Sequence, residues 1–143
     1  MQRTLRLPHP SEFKTPADAL PLLEDLLEEM SQAQDWPVTL FMRANLILEE
    51  LLLNTLTHGD TSGLTAIDVE LECSDNRLTI RLTDDGAAFN PLTDAPVPDV
   101  TLPLAERPIG GLGVHLVQTI SHDLEYRRAD GRNHLKLVVL PES

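Results

Sequence analysis

The hydrophobic period of the chain changes several times, and each change marks a new element. Thr4 to Leu7 reads as a short strand. Thr15-Pro16-Ala17-Asp18 then reads as a helix start, with a capping hydroxyl, proline in the first turn and an early acid. Leu20, Leu23, Leu26, Leu27 and Met30 recur at spacings of three and four, while Glu24, Asp25, Glu28 and Glu29 mostly take the other side. This predicts an amphipathic helix on the surface of the fold. Asp35-Trp36-Pro37 breaks it and opens a second helix running through about His58. Leu40, Phe41, Leu46, Ile47, Leu48, Leu51, Leu52, Leu53 and Leu56 cover most of its circumference, so it is expected at the centre.

From Ala66 the period is two, with Ile67, Val69, Leu71 and Cys73 alternating against Asp68, Glu70, Glu72 and Ser74. Ser74-Asp75-Asn76 is a turn, and Leu78, Ile80 and Leu82 against Thr79, Arg81 and Thr83 supply the antiparallel partner strand. Asp84-Asp85-Gly86 follows, and then a segment to Ile109 carrying Pro91, Pro96, Pro98, Pro103 and Pro108. Proline at that density forbids a ladder strand, and loops beyond roughly a dozen residues are usually functional or disordered, so a lid is expected at about 87–109. Gly110-Gly111-Leu112-Gly113 leads into a predicted helix from Val114 to Ser121, and strands Leu124 to Arg128 and His134 to Leu140 meet around Asp130-Gly131. The order predicts a two-layer α/β sandwich of the α+β class. Its sheet is expected to be mixed but mainly antiparallel, with helices on one face of a single domain spanning 1–143.

Composition narrows the possible partners. Only 3% of residues are aromatic, so the core must be built from Leu, Ile and Val. With 11 Lys plus Arg against 23 Asp plus Glu, the formal charge is -12, which argues against a nucleic-acid partner. It fits either a basic protein partner or a solvated acidic surface. Cys73 is the only cysteine, which excludes an intrachain disulfide and a thiolate metal cluster and suits a reducing compartment. Because no apolar stretch is long enough to span a bilayer and no basic-then-apolar leader opens the chain, a membrane role is not expected and the cytoplasm is.

Glu50, Asn54 and His58 step by four along this leucine-rich helix, whereas Glu49 points elsewhere. Burying a carboxylate without a partner costs several kcal/mol, so something polar or ionic is expected against that stripe. Asn54 offers a neutral oxygen of the kind magnesium accepts, and Glu50 one turn away suits a proton acceptor in phosphoryl transfer. A structural network in which Glu50 pairs with Arg43 or His58 would satisfy the same stripe. Asp84-Asp85-Gly86 is either an ordinary turn or a site where Asp84 accepts a hydrogen bond from an exocyclic amine while Gly86 admits the base to the backbone. Phe89 is placed to close that pocket. Gly110-Gly111-Leu112-Gly113 is either a hinge or a phosphate cradle at a helix N-terminus. His9, His115, His122 and His134 show no metal-ligand spacing, and only His115, just after the glycine turn, lies near these motifs.

In this order, Glu50-x-x-x-Asn54, Asp84-x-Gly86, a long lid and Gly111-x-Gly113 opening a helix resemble the N, G1 and G2 boxes of the Bergerat-fold (GHKL) ATPases. The Glu50-to-His58 form, the Gly110-to-Val117 form and the small size are most similar to the anti-sigma-factor serine/threonine kinases. The resemblance implies ATP and magnesium as cofactors, Glu50 as catalytic base, Asn54 as magnesium ligand and Asp84 as adenine contact. It implies Gly86, Gly111 and Gly113 as backbone positions shaping the pocket, and His58 beside the phosphates. With Asn54, Phe89, Gly110, Leu112 and Val114, these complete the expected nucleotide site. It further implies a protein kinase that holds a sigma factor and phosphorylates a small antagonist protein, with a homodimer as a possible assembly. The alternative is a non-catalytic module of the same fold that sequesters a partner under nucleotide control. The resemblance is not complete, since Leu51 to Leu53 stand where smaller residues are expected and the lid offers only Arg107 as a cation.

Overall fold

Proline decides where the first helix can begin. Pro21 has no N–H, so an α-helix running from Pro16 would lack one of its internal bonds. The computed structural model, which describes residues 1–7, 12, 15–94 and 111–142, accordingly shows a 3₁₀ turn at Pro16–Ala19 before helix α1, Leu20–Gln34. The Asp18 carboxylate accepts from the Thr15 N–H at 3.0 Å, so the expected start signal is used by the 3₁₀ turn rather than by the helix. Asp35 takes the left-handed conformation at φ 54°, and the Trp36 N–H returns to Ser31 O, closing α1. Helix α2 then runs Val38–His58.

Among the described residues, five strands form one sheet: β1 (Gln2–Leu7), β2 (Ile67–Ser74), β3 (Arg77–Asp84), β4 (Ser121–Ala129) and β5 (Arg132–Val139). Their order is β1-β2-β3-β5-β4, and every pairing is antiparallel, so the sheet is not mixed. Two-residue turns join β2 to β3 and β4 to β5. Asp75 and Asn76 have φ of 51° and 58°, and Asp130 and Gly131 have 55° and 72°, the left-handed pairs that match strand twist. Helix α3 is Gly111–Ile120, three residues earlier at its start than the periodicity suggests, and it passes directly into β4.

The alternating strands bury chiefly one face, with Val138 an exception buried on the other. Ile67, Val69, Leu71, Cys73, Leu78, Ile80, Leu135, Leu137 and Val139 lie in the same cluster as Leu23, Leu27 and Met30 of α1, Leu40, Ala44, Ile47, Leu48, Leu51 and Leu52 of α2, and Val117 of α3. Asp68, Glu70, Arg81, Thr83, His134 and Lys136 occupy the other face, where Arg81 pairs with Glu72 at 3.5 Å. The result is the expected α+β sandwich: helices on one side of an antiparallel sheet. Cys73 is buried as its strand position implied. Among the described residues, no helix is long and apolar enough to cross a membrane.

Candidate functional site

The polar stripe of α2 lies where the helix leaves the core. Leu51 and Leu52 are fully buried and hold that part of the helix against the sheet, so two of the three unusual leucines serve packing. Glu50 is half-buried beside them. Loss of hydration, and then the neighbouring Glu49, raises its carboxyl above the ordinary value of 4.5. Arg43 does not relieve it: Nη1 of Arg43 donates to Leu140 O at 3.3 Å. Glu50 forms no ion pair among the described residues, and His58 is exposed in the last turn, so the alternative structural network is not formed.

Asn54 is only 3% exposed, and its Nδ2 has no hydrogen-bond partner among the described residues. An unpaired buried amide costs about 1–3 kcal/mol, which the fold does not recover internally. At the end of the helix, Gly59 is extended at φ -76° and ψ 156°. A Cβ there would lie 2.6 Å from Thr55 O and 3.3 Å from the Phe89 ring, so glycine is what lets Phe89 abut the helix end.

The end of β3 separates two adjacent acids. Asp85 accepts from the Thr65 N–H at 2.8 Å and from the Thr65 hydroxyl, and these bonds hold its carboxyl down to about 2. It is a latch for the segment entering β2. Asp84 is used differently: its Oδ1 accepts from the Gly86 N–H at 3.0 Å and from Asn133 Nδ2 at 2.9 Å. Its Oδ2 has no partner among the described residues, which leaves one acceptor for a ligand. A Cβ on Gly86 would meet Asp84 Oδ1 at 3.2 Å and Leu64 at 3.5 Å, so the close approach there also favours glycine.

Asn133, 5% exposed, connects these parts. Its Nδ2 also donates to Ala87 O at 2.8 Å, while its Oδ1 accepts from the Phe89 N–H at 3.2 Å and from the Tyr126 hydroxyl. Arg128 donates from Nη1 to Gly86 O at 2.6 Å. None of Asn133, Tyr126, Arg128, Thr65 or Gly59 was singled out from the sequence. The available signal for Asn133 was a polar residue at an inward strand position otherwise taken by Leu135, Leu137 and Val139. Phe89 thus links the Asp84 segment to the C-terminal end of α2, a helix that α3 also contacts.

Gly111, Leu112, Gly113 and Val114 form the first turn of α3, not a turn preceding it. The first N–H groups of an α-helix, here those of Gly111, Leu112 and Gly113, have no partner within the helix, whereas the Val114 N–H makes its first internal bond. Gly110, Arg107, His9 and most of the lid, 95–109, lie outside the described residues. His115 is exposed on α3.

A family model for the histidine kinase-like ATPase domain matches residues 13–139. The chain belongs to that family. A histidine kinase-like ATPase of this type is a kinase-like ATP-binding domain, and the GHKL resemblance read from the three boxes agrees with it. This member is also similar to the serine/threonine-protein kinase BtrW of Bordetella bronchiseptica, at 33% identity over 112 residues covering 78% of each chain.

Proposed function

We propose that this ATPase-family domain is a magnesium- and ATP-dependent serine/threonine protein kinase that acts as an anti-sigma factor or partner-switching regulator. Its substrate would be a small antagonist protein, and residues 1–143 would form one unit with a lid at about 87–109. The observation that carries the reading is the α2 stripe: a half-buried Glu50 without a cation, one turn from a buried Asn54 with an unpaired amide. The similarity to a named serine/threonine-protein kinase supports the choice of acceptor.

Magnesium would be held through oxygen alone, because the unpaired Nδ2 of Asn54 is a donor and cannot ligate a cation. Among the described residues no three His, Cys, Asp or Glu side chains cluster to hold an ion. An ion held by one protein oxygen, phosphates and water requires no such cluster. Asn54 would supply that oxygen, and the ion would offset charge on the phosphates. Asp84 Oδ2 would accept the exocyclic amine of adenine, and Gly86 would bring the backbone to the base. The amides of Gly111 to Gly113 would face the phosphates. Glu50, in its ionised form, would take the proton as the partner's hydroxyl oxygen attacks the γ-phosphorus and the bond to the β-phosphate oxygen breaks.

The test is a phosphotransfer assay with labelled ATP and the cognate antagonist. Label on a serine or threonine of that protein supports the proposal. Tight ATP binding with no phosphoprotein would replace it with the non-catalytic module.

A further inference from the structure

We propose that Asn133 is the positioning residue for nucleobase recognition, setting the acceptor edge of Asp84 and tying it to the backbone of Ala87 and Phe89. This rests on the reading of Asp84 as the base contact. A side-chain amide has two donor hydrogens and an oxygen with two acceptor positions. Here Nδ2 serves Asp84 Oδ1 and Ala87 O, and Oδ1 serves the Phe89 N–H and the Tyr126 hydroxyl. All four places are filled, so Asn133 has nothing left for a ligand. Flipping the amide would set its oxygen against a carboxylate and a carbonyl, and its NH₂ against an N–H. Only one orientation satisfies all of the partners.

The consequence falls on Asp84. A carboxylate can rotate, but Asn133 and the Gly86 N–H both engage Oδ1 and leave Oδ2 as the single presented acceptor. Asn133 therefore acts on specificity through Asp84. It is buried at an inward position of β5, directly opposite Asp84 in the β3–β5 register, so the sheet itself fixes the spacing. The same amide holds Ala87 and Phe89, and Phe89 reaches the end of α2, so base recognition and the helix bearing Asn54 share one connection.

The experiment compares equilibrium binding of ATP with that of purine riboside triphosphate, which lacks only the exocyclic amine, in the unaltered protein, Asn133→Ala and Tyr126→Phe. The unaltered protein is expected to prefer ATP by roughly tenfold or more, because an analogue that leaves Oδ2 unpaired loses a charged hydrogen bond. Asn133→Ala should bring the ratio to within about twofold by weakening ATP and leaving the analogue nearly unchanged, with Tyr126→Phe between the two. A purely structural role would weaken both nucleotides together and keep the ratio, which overturns the inference. Should Asn133→Ala not fold, Tyr126→Phe decides, and an unaltered ratio there also overturns it. Absence of preference in the unaltered protein removes the Asp84 reading itself, whereas a preference that survives both substitutions removes only the role of Asn133.

Discussion

Arg43 and Glu50 share a side of α2 two turns apart, yet the Arg43 guanidinium bonds Leu140 O at 3.3 Å and leaves Glu50 without a cation. The carboxylate is thus half-desolvated and unneutralised, the state expected of a proton acceptor rather than of a structural ion pair. Glu50→Gln should lower phosphotransfer by about 100-fold or more while leaving ATP binding intact. Rate and affinity measured on the same variant check this, and an unchanged rate removes Glu50 from the chemistry.

The raised Glu50 carboxyl also sets a pH dependence. A base must be ionised, so the rate should fall on the acid side through a midpoint above 4.5. Stability has the opposite sign: because the folded value lies above the unfolded one, the protonated folded form is favoured. The stability this group contributes is fully present below 4.5 and declines as pH rises through the shifted value. Glu50→Gln should therefore stabilise the fold more at about pH 7 than at about pH 4, as urea unfolding would show. Equal effects at both values would contradict the shift.

Asn54 is expected to set stability against binding. Its Nδ2 is buried and unpaired, so Asn54→Leu removes a desolvated donor, and stability should hold or rise by about 1 kcal/mol. Magnesium-dependent ATP binding should be lost at the same time. Thermal unfolding and titration with and without magnesium give the two readouts, and retained magnesium dependence would exclude Asn54 as the ligand.

Gly59 is a steric position. Alanine would put Cβ 2.6 Å from Thr55 O, a backbone atom, so either the helix end or Phe89 must move. Gly59→Ala should cost about 1–3 kcal/mol and weaken ATP binding, whereas Gly63→Ala, which meets nothing within 4 Å, should do neither. Parallel denaturation of both variants makes the comparison.

Asp85 should appear in acid unfolding. Its folded value of about 2 lies below the ordinary 3.8, so its contribution is present above 3.8 and lost as pH falls toward 2. Removing the Thr65 hydroxyl with Thr65→Val weakens the latch, and the acid transition should move to higher pH. An unmoved transition would show that the backbone N–H of Thr65 suffices.

The two periods of the chain determined the helices, the strand pairs and the α+β class, because a helix or strand must bury one face and the spacing of its apolar residues records which. Left-handed turn pairs at Asp75-Asn76 and Asp130-Gly131 were legible for the same local reason. The spacing of the stripe was legible as well, since four residues bring Glu50, Asn54 and His58 to one side of any α-helix. Tertiary structure decided which members of that stripe are buried: Asn54 is buried, Glu50 half-buried and His58 exposed. It also decided that Arg43 turns away from Glu50, that the start signal at Thr15 serves a 3₁₀ turn, and that the glycines enter α3. Asn133 shows the reason. Its partners Asp84, Ala87, Phe89 and Tyr126 lie up to 49 residues away in sequence, and they meet only once β3, β4 and β5 are paired in register.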